Sequence, residues 1–459
     1  MPKVSATDAI KLRRYVSEFP EFEVCGENEL YCPLCICTVN YRKRDFVTAH
    51  RNTKKHATAI RNKESKQPTL QGSTSKGNFF DKVTYAFLSA DIPLEKLNNI
   101  QLRELFDLMK HPLPSESAAR SRVQKLADLE LCKIKTAIEG KDVFIMIDES
   151  EIRDQKFMNV LCGSTDSPER VFLVCCKPLL TPADTNSVCQ CVDDVMRQLD
   201  CPKERFILMQ SDAARYMTSA AGMLQIIYPK MHHVTCAAHL IHNCALRIRS
   251  HYTAVDNLIS KVKASVVKNK TRRALYAGIG TPPTVVVTRW SSWLRGALYY
   301  SKNLPKVKEI VENYKGEGII VSNAKESVRD LQLATNLLAI KRDYGDLVDL
   351  IDKMQSSSYS ISQCWSDLQK LMKDGLGMDE CQIKPYLSRR LLKTGMTEIM
   401  NMARDDISPD QFVLLQNCQA TTSDVERSFS MLKKILASDR QFSSENVAKY
   451  LILYFNSAK

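Results

Sequence analysis

Two short apolar runs that end on an aspartate are the clearest pattern of hydrophobic and polar positions in this chain. The first, Val143 to Ile147, is followed by Asp148, and the second lies within Arg205 to Asp212. Runs of this length that are rich in apolar and β-branched residues predict strands buried on both faces. If the strands are parallel neighbours, the two aspartates meet at one edge of the sheet, where carboxylates suit Mg²⁺. The alternative is that each aspartate only begins a turn.

The segments after Asp148 predict a mixed sheet with helices on its faces. Apolar runs at 157–163 and 170–180 predict an antiparallel pair joined to the first strand. A helix is expected over 187–199, and a second follows the strand that ends at Asp212 and continues to Tyr228. A short strand at 232–235 then leads into a helix that begins at Ala237. The order βββαβαβα predicts an α/β fold of the ribonuclease-H-like arrangement, in which the first and fourth strands are neighbours.

Near the N-terminus, a pair of cysteines precedes a pair of histidines at metal-ligand spacing. Cys32 and Cys35 are separated by two residues, and His50 and His56 follow on a predicted helix. Two thiolates and two imidazoles complete a tetrahedral, structural Zn²⁺ site, on which we expect Phe46 to pack. The alternative is a chance grouping in a cysteine-rich chain.

The helix of this predicted finger is strongly basic. A helix with such charge suits phosphate contacts in the major groove of double-stranded DNA, and the alternative is a solvated charged face. The predicted DNA-binding residues of the finger are Arg42, Lys43, Arg44, Arg51, Lys54 and Lys55.

Composition agrees with a nucleic-acid partner and an intracellular location. The net charge is +13, which favours a polyanion. The N-terminal residues lack the apolar core of a signal peptide, so the sixteen cysteines are expected to be reduced. No run approaches the ~18 apolar residues of a membrane span, and we expect no membrane partner.

The same patterns divide the chain into six segments. We predict a zinc finger at 1–62, a polar linker at 63–78, a helical segment at 79–140, the first part of the α/β core at 141–251, a mainly helical region at 252–415 and two closing helices at 416–459.

Four motifs in order resemble those of hAT-superfamily DNA transposases. They are SDAARYM (211–217), CAAHLIHNCAL (236–246), TRWSS (288–292) and TTSDVERSFS (421–430). Separately, residues 1–125 are similar to the transposase-derived CGG-triplet-repeat-binding protein family, through the finger spacing and the IPLEK segment at 92–96.

This resemblance implies a ribonuclease-H-like core interrupted by a helical insertion, and it assigns roles to particular residues. Asp148, Asp212 and Glu426 would be catalytic acids that hold Mg²⁺. For Glu426, the alternative is a helix cap, because Ser423 precedes it at capping-box spacing.

The remaining motif residues would support the site or bind DNA. Cys236, His239 and His242 would shape the surroundings of the scissile phosphate, with metal ligation or simple packing as alternatives. Arg289 would contact phosphate and Trp290 would stack on an unpaired base, unless this tryptophan is a core residue.

Together these patterns predict a nuclear, zinc-finger-bearing hAT-type transposase that cleaves and transfers DNA strands and self-associates through its C-terminal region. The alternative is a catalytically silent, transposase-derived regulator of RNA polymerase II transcription that still binds DNA. A ribonuclease-H-like exonuclease is less consistent, because it usually has Asp-x-Glu on the first strand and Ser150 occupies that place.

Overall fold

The structure is a computed structural model that forms two compact units, Met1–Lys82 and Val83–Lys459. It describes residues 6–25, 29–32, 35, 37–57, 73–179, 181–285, 292–316, 318–402, 404–436 and 444–457. Among these residues, no helix combines the length and the apolarity that crossing a membrane requires.

The first unit contains a small antiparallel sheet and short helices. Its elements are α1 (Ala6–Glu18), β1 (Glu23–Cys25), β2 (Glu29–Cys32), β3 (Cys37–Val39) and α2 (Arg44–Arg51), and the strands pair in the order β1-β2-β3. The predicted packing of Phe46 is wrong, because Phe46 is 47% exposed and Val47 is buried. His50 and His56 also lie in separate helical turns, because α2 ends at Arg51 before a new turn at 54–57.

The second unit is built on a mixed five-stranded sheet, so the predicted α/β class is confirmed. Its strands are β4 (Val143–Ile152), β5 (Gln155–Ser164), β6 (Val171–Leu179), β7 (Phe206–Ser211) and β8 (His232–Thr235). They pair in the order β6-β5-β4-β7-β8. β4 is antiparallel to β5 and parallel to β7, so the first and fourth strands of this sheet are neighbours, as predicted.

The predicted end of the first strand at Asp148 is wrong. β4 continues to Ile152 because Glu149 to Ile152 form a hairpin with β5. On its other side, however, the pairing of β4 with β7 stops at Met146 and Gln210. Asp148 therefore lies just beyond the parallel ladder, at the end of the sheet where β7 also stops.

Helices supply most of the remaining structure. The helices that precede the strands of the sheet in the chain, connect them or directly follow them are α3 (Ser73–Ser89), α4 (Ile100–Leu108), α5 (Glu116–Arg120), α6 (Val123–Ile138), α7 (Thr185–Gln198), α8 (Arg215–Ile227) and α9 (Ala237–His251). The predicted helical region contains α10 (Thr253–Val267), α11 (Lys270–Ala274), α12 (Ser292–Glu312), α13 (Ile319–Arg329), α14 (Leu333–Tyr344), α15 (Asp346–Met354), α16 (Ile361–Lys370), α17 (Ile383–Leu391), α18 (Met396–Met400) and α19 (Pro409–Asn417). The chain closes with α20 (Ser423–Ile435) and α21 (Ser444–Ser457).

Alternation along β4 decides which helices each side chain meets. Val143, Ile145 and Ile147 are buried with residues of α6, α7 and α8. Phe144 and Met146 belong to the opposite core, together with residues of α9 and α20. Because successive side chains of a strand point to opposite faces, Asp148 shares the face of Phe144 and Met146. This carboxylate therefore lies on the side that carries α9 and α20.

Backbone hydrogen bonds fix two distant segments against the end of this sheet. The amide of Thr235 donates to the carbonyl of Thr394 at 3.0 Å, and the amide of Ala237 donates to that of Ala420 at 3.1 Å. Gly395 lies so close to β8 that a Cβ there would be 1.9 Å from the carbonyl oxygen of His233, and its φ is +75°. Glycine is required at this contact.

We predict that Gly395→Ala destabilises the second unit by about 3 kcal/mol or more, because strain in φ adds to the clash with His233. Gly280→Ala is the control, since Gly280 has a φ of +78° but nothing within 4 Å of the added Cβ; about 1–2 kcal/mol is expected there. Urea unfolding followed by tryptophan fluorescence measures both, because all three tryptophans lie in this unit. Equal losses would contradict the close-contact explanation.

Candidate functional site

The two cysteines and two histidines predicted as metal ligands do come together in the first unit. One potential ligand atom from each of Cys32, Cys35, His50 and His56 lies within 4.8 Å of all the others. The Nδ1 atom of His56 is 3.5 Å from Sγ of Cys32 and 3.3 Å from Sγ of Cys35. These four residues could hold a metal ion.

The distances fit a tetrahedral thiolate–imidazole site. Metal–sulfur and metal–nitrogen bonds of about 2.3 and 2.05 Å at a tetrahedral angle separate the two ligand atoms by about 3.5 Å. The Nε2 atom of His50 is buried and has no hydrogen-bond partner among the described residues. Burial lowers the pKa of both His50 and His56, so both imidazoles are neutral and able to coordinate.

The predicted DNA-binding residues of the finger fall into two groups. Arg44 pairs with Glu18, and Arg51 pairs with Glu21, so both arginines hold the unit together. The other four cations are exposed, and none lies within 4.0 Å of a described carboxylate; they are Arg42, Lys43, Lys54 and Lys55.

In the second unit, an acidic site forms where β4, α9 and α20 meet. Asp148, His239 and Glu426 each contribute an atom to a group whose members lie within 4.8 Å of one another. Asp148 is buried and accepts a hydrogen bond from the amide of Glu149 at 2.8 Å. The Nε2 atom of His239 is 4.0 Å from Oε1 of Glu426, whose side chain is 46% exposed. Two of the three predicted acids therefore converge on one point.

Asp212 is near this group but outside it. Its carboxylate accepts a hydrogen bond from the amide of Ala214 at 3.1 Å, in the turn that leads from β7 to α8. The predicted turn role is therefore real for Asp212. Its charge still reaches the site, because it contributes to raising the pKa of Asp148 and of Tyr216.

Burial and mutual repulsion make the Asp148 carboxyl hard to ionise. Burial is the largest cause, and the charges of Glu426 and Asp212 add to it, while His239 opposes it; the pKa of Asp148 rises to about 8. At neutral pH without a bound cation, this carboxyl is mostly protonated. A divalent cation held by Asp148 and Glu426 would reverse the balance, since it favours the ionised form of both.

His239 carries positive charge that partly compensates the acids. Burial opposes its protonation, but the charge of Cys236, a hydrogen bond with that thiol, and the charges of Asp148 and Glu426 raise the pKa of His239 to about 10. The pKa of Cys236 is lowered despite burial, because His239 and the amide of Thr422 stabilise its thiolate. Cys236 and His239 thus form a hydrogen-bonded pair beside the carboxylates, in which each favours the charged form of the other. The pKa of His242, in contrast, is lowered by burial.

Glu426 does not cap its helix. The N-cap of α20 is Thr422, which makes no side-chain capping bond, and Ser423 is already the first helical residue. The amide of Thr422 instead donates to Sγ of Cys236 at 3.3 Å. The capping-box alternative is therefore wrong, and the carboxylate of Glu426 is directed to the acidic site.

One residue of the site has no counterpart in the sequence-based predictions. Asn159 on β5 is fully buried and is the cross-strand partner of Asp148. Its Nδ2 donates to Oγ of Ser428 at 2.7 Å, while Oδ1 has no hydrogen-bond partner among the described residues. The sequence signal that could have identified Asn159 is that it is a single asparagine within the apolar run 157–163. Arg289 and Trp290, predicted to bind DNA, lie outside the described residues.

We predict that the full-length protein binds Co²⁺ with the visible spectrum of a tetrahedral thiolate site, and that Cys32→Ser abolishes this spectrum because it removes a ligand. Cys37→Ser is the matched control, since Cys37 lies outside the four-residue group. Loss of the spectrum in the control, or its persistence in Cys32→Ser, would contradict the ligand assignment.

We also predict that Asp148→Asn stabilises the second unit by a few kcal/mol at pH 8 in the absence of divalent ions. The raised pKa of Asp148 means that its ionisation opposes folding as pH rises towards about 8. The gain should shrink as pH falls and vanish below about 3, where the carboxyl is protonated in both states. Urea unfolding by tryptophan fluorescence measures it, with exposed Glu151→Gln on the same strand as the control. A gain independent of pH would refute this explanation.

Comparison with protein-family models and with curated proteins gave no match for this chain.

Proposed function

We propose that the protein is a DNA-binding enzyme of the hAT transposase type, which cleaves and transfers DNA strands with divalent metal ions. The observation that carries this proposal is the convergence of Asp148 and Glu426. They come from β4 and α20, which are far apart in the sequence, yet lie in one group within 4.8 Å together with His239. Carboxylates gathered from distant elements at the end of a sheet are the arrangement that metal-dependent phosphoryl transfer requires.

The topology supports a ribonuclease-H-like core for this unit. If the five strands are numbered 1 to 5 in chain order, their order across the sheet is 3-2-1-4-5. Strand 2 (β5) is antiparallel to the other four, which all run in the same direction. Helices α6, α7 and α8 cover one face, and α9 and α20 cover the other. The long helical region between α9 and α20 then corresponds to the insertion of the hAT type.

DNA is the substrate class that the charge distribution favours. Between Asp256 and Glu309 the chain has no acidic residue but eleven lysines and arginines. In the described part of this stretch, Lys263, Arg272 and Arg273 donate to backbone carbonyls instead of carboxylates. Such uncompensated charge attracts phosphates. In the first unit, Zn²⁺ at the Cys₂His₂ group would hold the finger that presents Arg42, Lys43, Lys54 and Lys55.

The residues of the acidic site have separate roles in the proposed reaction. Asp148 and Glu426 would hold Mg²⁺, and Asp212 would add a ligand or a charge from the end of β7. Mg²⁺ held by these residues would supply activation of the attacking oxygen and stabilisation of the leaving oxygen in an in-line displacement at phosphorus. His239 would hold its proton towards the phosphate, oriented by its hydrogen bond with Cys236. Asn159 would fix the position of Ser428 on α20.

A second candidate is a DNA-binding regulator of transcription with a silent core. The position of Asp212 favours it, because this acid lies outside the tight group and its carboxylate is engaged with Ala214. The imidazolium of His239 also occupies space among the acids that a cation would need. In either case we propose a nuclear location and self-association through the C-terminal region.

We predict that the wild-type protein nicks a plasmid carrying the terminal repeats that flank its gene, and that nicking requires Mg²⁺. Asp148→Asn and Glu426→Gln should each reduce the nicking rate by at least about a thousandfold, since either change removes a metal ligand. Glu151→Gln is the control, because this acid lies on the same strand but is exposed and outside the group.

Equal nicking by the wild type and both variants would reject the catalytic assignment. If the wild type binds this DNA in a salt-sensitive manner but leaves it intact with Mg²⁺ or Mn²⁺, the regulator with a silent core is the correct function.

A further inference from the structure

A cavity of about 280 Å³ adjoins the acidic site on the side of Asp212 and His239. It is enclosed by the end of β8, the first turns of α9 and the end of α17. The lining residues with charged or polar groups include Asp212, Thr235, His239, Asn243, Arg390 and Lys393. The cavity therefore shares His239 with the acidic site and carries charged and polar groups beside it.

Two cations line this cavity without a described carboxylate in direct contact. Arg390 and Lys393 are exposed, and no carboxylate of the described residues lies within 4.0 Å of their side-chain nitrogens. The guanidinium of Arg390 lies 5.6 Å from the centre of the Tyr386 ring, which holds it without neutralising it. A guanidinium and an ammonium at one concave site suit a phosphate group.

The segment that carries these cations is held firmly against the sheet. The Nε of Arg247 on α9 donates to the carbonyl of Cys381, just before α17, at 2.8 Å. After α17, the amide of Thr235 donates to Thr394, and Gly395 packs against the backbone of His233. The backbone that carries Arg390 and Lys393 is thus fixed relative to the sheet at both ends of the segment.

A second cavity, on the side of Glu426, differs in its electrostatics. It has a volume of about 570 Å³ and contains Arg295 and Arg427. Arg295 pairs with Asp352, and Arg427 pairs with Asp424. Both of these cations are already paired, so among the described residues that line the two cavities, the cations without a carboxylate within 4.0 Å lie on the Asp212 side.

We propose that the cavity at Asp212 binds the phosphodiester group next to the scissile phosphate, with Arg390 and Lys393 as its ligands. This proposal rests on the proposed function, because it assumes a DNA strand across the acidic site. The strand would enter from the Glu426 side, cross the acids, and place its next phosphate between α17 and α9. Arg390 and Lys393 are then binding residues that set the register of the strand.

The test is the binding of a fluorescein-labelled DNA duplex with a free 3′ end to the full-length protein in Ca²⁺, measured over a range of NaCl concentrations. Arg390→Gln with Lys393→Gln should lower the slope of log affinity against log salt by about 0.9, the value for one phosphate. At about 0.15 M salt this corresponds to roughly fivefold weaker binding. The matched control is Lys384→Gln with Arg389→Gln, two exposed cations of the same helix that do not line the cavity.

A neutral methylphosphonate placed at each successive position near the 3′ end then locates the contact. The wild type should lose affinity at one position beside the bound end, and the double variant should be insensitive at that position only. If the double variant and the control have the same salt slope as the wild type, or if the control loses as much as the double variant, the proposal is wrong.

These outcomes are separate from those of the nicking experiment. A lower salt slope in a protein that never cleaves DNA would support the phosphate site and reject the enzyme. Cleavage by the wild type with an unchanged KM and salt slope in the double variant would reject the phosphate site alone.

Discussion

The carboxyl of Asp148 is held out of water, and its ionisation depends on positive charge that compensates it. Alternation along β4 places Asp148 on the same buried face as Phe144 and Met146. An ionised carboxylate at such a position costs several kcal/mol unless a cation or hydrogen bonds accompany it. The structure provides one amide hydrogen bond and one imidazolium, and even so the pKa of Asp148 is raised to about 8.

The start of α9 organises that compensation. Its N-cap, Cys236, receives a hydrogen bond from the amide of Thr422 and stabilises the charge on His239. The amide of Ala237 donates to Ala420, so the chain entering α20 is fixed to the same turn. His239 and Glu426 therefore obtain their positions from one small region of backbone contact, although they are far apart in sequence. A divalent ion would take over the role that His239 performs in its absence.

The sequence predicted the sheet well and the site only in part. Unbroken apolar runs revealed β4 and β7 because a strand buried on both faces needs no alternation. The end of β4 was missed, since Glu149 to Ile152 pair with β5 through polar residues that resemble a turn. The cap at Thr422 and the exposure of Phe46 depend on contacts with other elements, which local spacing does not encode. Arg390 and Lys393 carry no motif, and only the packing of α17 against α9 brings them to Asp212.

The most direct test of the compensated carboxylate is calorimetric titration of the zinc-loaded protein with Mn²⁺ at pH 7, in two buffers of different ionisation enthalpy. The difference in apparent binding enthalpy gives the number of protons released. Because Asp148 and His239 are both mostly protonated before the ion binds, the predicted result is the release of about one to two protons per ion. Mn²⁺ binding without proton release would contradict this explanation, and so would a wild-type affinity for Mn²⁺ no higher than that of the Asp148→Asn variant.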